Sequence, residues 1–190
     1  MAKNKNDKRY IRSKIGMEEN YLREIRKQGG LVGVKVKTIC KGAKVHGTTF
    51  FRHYRNLAGI VKDVRNEVNI EYNNMIRRII RHGGSFYDVA YETFKFIEQH
   101  KDYFETAITI NNTIMLEKVG KKIWKCARKT KYRYGMRRIE KVYIYEIIGV
   151  LISWMEDEKF NPEKIDQYVA YIVKISSGGL SRLSLLADKD

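Results

Sequence analysis

The chain has 190 residues and carries 38 Lys and Arg against 22 Asp and Glu, a formal net charge of +16. That length fits one compact unit or a small domain fused to a larger one, and so basic a surface points to a polyanionic partner. A single proline and 32% charged residues, in long stretches without helix breakers, argue against a strand-rich fold and predict an all-α chain.

Glycine pairs at Gly29-Gly30, Gly83-Gly84 and Gly178-Gly179, with Pro162, divide the chain into about nine predicted helices. The first covers residues 7–28. Its leading segment, MAKNKNDKRYIRSK, has no broad apolar face, which argues against attachment to a membrane surface. The second, residues 35–43, places Val36, Ile39, Cys40 and Ala43 on one face. A further seam of Val45, Phe50 and Tyr54, continuing to Leu57, Ile60 and Val61, begins directly after Lys44. So short an interval allows only a tight turn between two crossing helices, the third being residues 46–54. Its outer face carries His46, Gly47, Thr48, Thr49, Arg52 and His53, small or hydrogen-bonding groups suited to base edges and phosphates. This is the pattern of a helix-turn-helix DNA reader, and also of a solvated surface on an ordinary helical hairpin. Charge favours the first reading: residues 1–60 hold 15 Lys and Arg against 4 Asp and Glu, a local +11.

The fourth helix is expected over residues 57–82 and the fifth carries Phe86, Val89, Ala90, Phe94 and Ile97 on one face; the sixth covers residues 101–111 and the seventh 113–129. Across these helices, Tyr72, Met75, Tyr87, Tyr91, Phe94, Phe104, Ile108, Met115 and Trp124 either pack as core or line an effector pocket; helical spacing favours the core. Residues 118–141 form a second basic cluster, 11 Lys and Arg against Glu140 alone. Surface charge, an acidic effector or partner, and contact with flanking DNA are its competing explanations.

The eighth helix, residues 136–158, has Ile139, Val142, Tyr143, Ile147, Val150, Leu151 and Trp154 on one face and Ile144, Ile148 and Ile152 on the other. A helix apolar nearly all round implies a second wall, supplied by a partner subunit or by the chain's own helices. Asn161 as N-cap and Pro162 in the first turn open a ninth helix with Ile165, Tyr168, Val169 and Ile172 as its apolar stripe. In the dimer reading this stripe completes a four-helix interface across a twofold axis.

Cys40 and Cys126 lie far apart inside helical patterns, as structural thiols of a reduced, cytoplasmic protein do. No signal peptide is expected, and the apolar run 142–155 contains Glu146 and is too short to span a bilayer. His46, His53, His82 and His100 lack metal-site spacing, and neither a phosphate loop nor a nucleophile elbow is present. The expectation is therefore a non-enzymatic protein with no metal and no cofactor.

The stretch VKTICKGAKVHGTTFFRHYRN resembles the N-terminal DNA-binding domain of the TetR/AcrR family of bacterial transcriptional regulators. Ile39, Ala43, Val45, Thr49, Phe50, Phe51, His53 and Tyr54 fall on that family's order of apolar, small and aromatic positions, and the likeness covers residues 7–61. The run IYEIIGVLISWMEDEKFNPEKIDQYV resembles the last two helices of shorter members, whereas the segment between is too divergent to match residue by residue. The resemblance implies a DNA-binding domain at residues 1–56 and a helical dimerisation and effector domain at 57–190. It also implies a homodimer on a pseudo-palindromic duplex, acting as a repressor released by a small-molecule or acidic effector.

Carried over by position, Gly47, Thr48, Phe51, Arg52 and His53 would face DNA, Phe50 and Tyr54 would anchor the reader helix, and Lys37 would approach a phosphate. Three positions depart from the pattern. Lys44 replaces a turn glycine and must accept a positive backbone angle, at a cost of about 1 kcal/mol. Phe51 replaces a tyrosine whose hydroxyl meets a phosphate, and Leu57 replaces a lysine. Arg52, Arg55 and the basic N-terminal arm are expected to offset the lost contacts. A DNA-binding architectural or partner-docking protein of low sequence specificity, without an effector, is the alternative.

Overall fold

A computed structural model describes residues 7–110, 114–127 and 137–187, with side chains left undescribed at 127, 137–140 and 177–187. Among the described residues the chain is all-helical, with nine α-helices and no strand. No helix among them is long and apolar enough to cross a membrane.

The first helix, α1 (Lys8–Gln28), starts at Asp7, whose carboxylate accepts the Arg9 N–H at 2.8 Å. It ends at Gly29, where φ is 65° and the Gly29 and Gly30 amides close back on Arg26 and Ile25. Left-handed backbone there is what glycine accepts without a Cβ clash. Then come α2 (Val36–Gly42), α3 (Gly47–His53) and α4 (Leu57–Arg81), the last ending before Gly83 at φ 75°. A Ser85–Asp88 capping box starts α5 (Phe86–Gln99), and α6 (Lys101–Thr109) follows. α7 (Ile114–Ala127) and α8 (Arg137–Glu156) precede a 3-10 turn at Pro162–Lys164, capped by Asn161, that runs into α9 (Ile165–Ala187).

One glycine pair does not act as expected. α9 continues through Gly178 and Gly179 to Ala187. A helical glycine costs only about 1 kcal/mol relative to alanine, and the Leu-rich sequence beyond the pair favours helix.

Contacts gather the chain into two compact units, residues 1–70 with 102–112 and residues 71–101 with 113–190. The boundary expected after residue 56 falls inside the first. In that unit Met17, Tyr21 and Ile25, spaced four apart on α1, pack with Ile39, Phe50 and Ile60. Cys40 lies in the same core, and burial raises its thiol pKa. Arg26 of α1 reaches Asp102 and Glu105 of α6, each at 2.8 Å. In the second unit α8 packs on α7 and α9, and α5 packs on α7 and α9. Gly120 lets α7 approach α8 closely: a Cβ there would stand 3.3 Å from the Ile144 carbonyl oxygen.

Candidate nucleic-acid interface

The region from α2 to the start of α4 is built around a four-residue turn, and its geometry follows from the backbone at Lys44 and Val45 and the side chain of His46. Lys44 sits at φ 53°, in the left-handed region, and the Val45 amide bonds back to the Cys40 carbonyl at 3.0 Å. A lysine thus holds the position glycine would occupy most easily. His46 then caps α3, its Nδ1 accepting the Thr48 N–H at 3.4 Å and lying 3.1 Å from the Thr48 hydroxyl. Nδ1 can accept only while it carries no proton.

The inner side of α3 is fixed by Phe50, which has no solvent exposure and lies edge-on to Phe51 with ring centroids 5.4 Å apart. Tyr54, just past the helix, donates its hydroxyl proton to Glu18 Oε1 at 2.7 Å. Lys14 donates to the same oxygen at 2.7 Å and also pairs with Glu67. Burial pushes the Glu18 carboxyl above its ordinary value, against the lowering effect of Lys14 and Tyr54. Burial and the Glu18 carboxylate push the Tyr54 phenol well up. Burial alone would lower the Lys14 ammonium, but its bonds to Glu18 and Glu67 hold it above the usual lysine range.

His53, expected on the DNA side, is half-buried and touches α1. Its ring stacks on Tyr10 at 4.0 Å, and Nε2 lies 2.8 Å from the Ser13 hydroxyl. The remaining expected residues divide by exposure. Lys37, His46, Thr48, Phe51, Arg52 and Arg55 are exposed, whereas Gly47 and Thr49 are half-covered. A Cβ on Gly47 would meet nothing within 4 Å, so the backbone there is open to close approach.

Thr48, Phe51 and Arg52 stand three and four residues apart on one face of α3; Arg55 is also exposed but lies past the helix end, beyond the extended Tyr54. Between Glu24 and Asp63 the sequence holds no acidic residue, and the cations there include Lys35, Lys37, Lys41, Lys44, Arg52 and Arg55. Arg26 of this segment is taken up by Asp102 and Glu105, while its exposed cations Lys35, Lys37, Lys41, Lys44, Arg52 and Arg55 have no carboxylate of the same segment to compete with a phosphate. The face thus pairs charge with hydroxyl donors and one large apolar ring.

The anchoring set of Lys14, Glu18 and Glu67 is not apparent in sequence. Lys14 and Glu18 stand four apart, as many solvated helix pairs do, and only the packing of Tyr54 over Glu18 makes the pair structural.

The other expected sites lie mostly inside the fold. Ile147, Leu151, Trp154, Ile165, Val169 and Ile172 are fully enclosed, and Tyr143 nearly so. Trp154 meets Phe94 edge-on and donates its indole N–H to the Asn161 carbonyl at 2.9 Å. The far face of α8 is also covered, with Ile144 and Ile148 buried. Most of the apolar girth of α8 is thus met within the chain, with Ile152 half-buried. Val150 and Tyr168 are half-buried, Val142 is exposed, and the Ile139 side chain lies outside the described residues. Tyr145 and Tyr171, not singled out in the sequence, are exposed aromatics on α8 and α9.

Of the residues expected around a pocket, Tyr72, Phe94, Phe104, Met115 and Trp124 are buried, Met75, Tyr91 and Ile108 half-buried, and Tyr87 exposed. Tyr72 bonds Thr93 at 3.1 Å, and Trp124 stacks flat on Tyr143 at 4.7 Å. Phe104 and Ile108 belong to the first unit and the others to the second. The first unit holds a cavity of about 30 Å³ lined by Tyr21, Leu22, Val61, Tyr103 and Ile110 among others, room for one water but not for an effector. Much of the 118–141 cluster lies outside the described residues; of the rest, Lys118, Lys121, Lys125 and Lys141 are exposed, and Lys121 pairs with Glu117 at 3.6 Å.

Comparison of the chain with family models, curated proteins and solved structures finds no match.

Proposed function

We propose that this chain is a sequence-specific, DNA-binding transcriptional regulator resembling the TetR/AcrR type, in which α2 and α3 form a helix-turn-helix and α3 enters the major groove. The observation that carries the reading is the outward face of α3. Thr48, Phe51, Arg52 and Arg55 are exposed together in a segment without acidic residues. The inner side is anchored by Phe50, Tyr54 and His53. A short helix gripped on one side and left open on the other is what insertion into a groove about 12 Å wide demands.

Reading a pseudo-palindrome requires two such helices about one DNA turn apart, and so a twofold dimer. Val142 and Tyr145 on α8 with Tyr171 on α9 are the exposed apolar groups that a second copy would cover. Repression, and release by an effector through differential binding to two states, follow from the resemblance.

The test is selection of bound sequences from a random duplex pool with the full chain, followed by affinity measurements on selected and random DNA. Thr48→Ala should change sequence preference, while Lys37→Ala should weaken binding to all duplexes and lower the salt slope by about 1. Equal affinity for every duplex at physiological salt would establish the architectural alternative. If both variants bind selected and random DNA as the parent does, the α3 assignment is wrong.

A further inference from the structure

We propose that the small cavity of the first unit binds one chloride-sized monovalent anion, held by the Arg65 guanidinium and the hydroxyls of Tyr21 and Tyr103.

Arg65 is the one charged residue lining this cavity, beside Tyr21, Tyr103 and Thr106 and a wall of aliphatic side chains. Tyr21 comes from α1, Arg65 from the part of α4 inside the first unit, and Tyr103 from α6. These three polar groups are near enough to act on one another. Burial raises the Tyr21 phenol pKa and Tyr103 adds to the rise, while burial raises Tyr103 against the lowering effect of Arg65. Tyr21 is 3% exposed, yet among the described residues none hydrogen-bonds its hydroxyl or that of Tyr103. The Thr106 hydroxyl is occupied elsewhere, donating to the Asp102 carbonyl at 2.7 Å.

Charge favours an anion over a water. The carboxylates of α6, Asp102 and Glu105, are both taken by Arg26 at 2.8 Å, and among the described residues no ion pair reaches Arg65. A half-buried guanidinium without a counter-ion is costly, and a bound anion removes that cost where a neutral water does not. Arginine only donates and each phenol can donate, so the lining offers charge-assisted bonds to an acceptor and no carboxylate to repel it. The volume of about 30 Å³ is that of one water, so a monatomic halide fits and a tetrahedral oxyanion does not. Arg65 and Tyr103 are only half-buried, which leaves a route for exchange with solvent. The anion would tie three helices of the first unit together.

The test is thermal unfolding of the full chain as sodium chloride or bromide replaces sodium gluconate, whose anion is too large for the cavity, at constant ionic strength and pH. Either halide should raise the midpoint along a saturating curve, by about 3–5 °C at ten times the dissociation constant. Arg65→Gln should abolish the saturating rise. Tyr21→Phe keeps the buried ring and should increase the halide concentration at half-effect about 10-fold.

Equal midpoints in halide and gluconate, or a linear rise that Arg65→Gln leaves unchanged, would mean a cavity that holds water only and would overturn the site. If Arg65→Gln does not fold, Tyr21→Phe decides: an unmoved half-effect concentration also overturns it. No DNA enters the experiment, so its outcome is separate from that of the α3 assignment.

Discussion

The helices α3 and α8 are positioned by opposite means. The seven residues of α3 include one fully buried side chain, Phe50, and too short a backbone to be stable alone. Its place is set by directional bonds at its ends: the His46 cap, the His53 contacts with Tyr10 and Ser13, and the Tyr54 bond to Glu18. The twenty residues of α8 are held by apolar burial on two faces, with a few polar bonds such as Trp154 to Asn161. A helix with one side exposed cannot take its position from burial alone, so hydrogen bonds and ion pairs orient it. A helix covered on both faces can be held by apolar packing.

This contrast can be broken most directly at Trp154. Trp154→Ala removes the ring packed on Phe94 and Phe160 and should cost about 3–5 kcal/mol in denaturant unfolding. A loss under about 1 kcal/mol would mean that apolar packing does not hold α8. At the other pole, Glu18→Ala leaves the buried Tyr54 hydroxyl without its acceptor and should cost about 1–3 kcal/mol. Stability equal to the parent would remove the polar anchor from the account of α3.

The same anchor has a pH signature. Tyr54 and Lys14 hold their protons more tightly in the folded chain than at their ordinary values of 10.0 and 10.5. The stability they add is complete below those values and is lost as pH rises through and beyond them. The parent's unfolding temperature should therefore drop between about pH 9 and 11, and Tyr54→Phe should flatten part of that fall. An identical slope in the two proteins would contradict the shift. The smallest effect is expected at the turn: Lys44→Gly relieves the φ of 53° and should stabilise by about 0.5–1 kcal/mol in denaturant unfolding, with loss of stability as the contrary result.

The all-helical class and helix count were legible because breakers are few and well placed. Gly29 and Gly83 take positive φ where α1 and α4 finish, and Asn161 with Pro162 opens the segment leading into α9. Gly178 and Gly179 misled because a strongly helix-forming tail outweighs two glycines. On α3, periodicity indicated that Thr48 and Arg52 lie outward. It could not place His53, whose partners Tyr10 and Ser13 lie some forty residues earlier in the chain. On α8, a surface apolar nearly all round was legible, but periodicity does not say whether the covering surface comes from the same chain. Tyr145 and Tyr171 each sit beside a buried isoleucine, Ile144 and Ile172, so apolar patterning alone does not mark them as exposed.

The two cysteines offer an independent view of how these regions open. Cys40 is buried in the first unit, whereas Cys126 lies in the second and is half-buried. Burial raises the Cys40 thiol pKa and so keeps it less nucleophilic, and a thiol reagent can reach it fully only when the helices around it part. The buried Cys40 is therefore a built-in reporter of the α3 support, and on the unmodified chain its labelling should lag that of the half-buried Cys126 by the time the helices around it take to part.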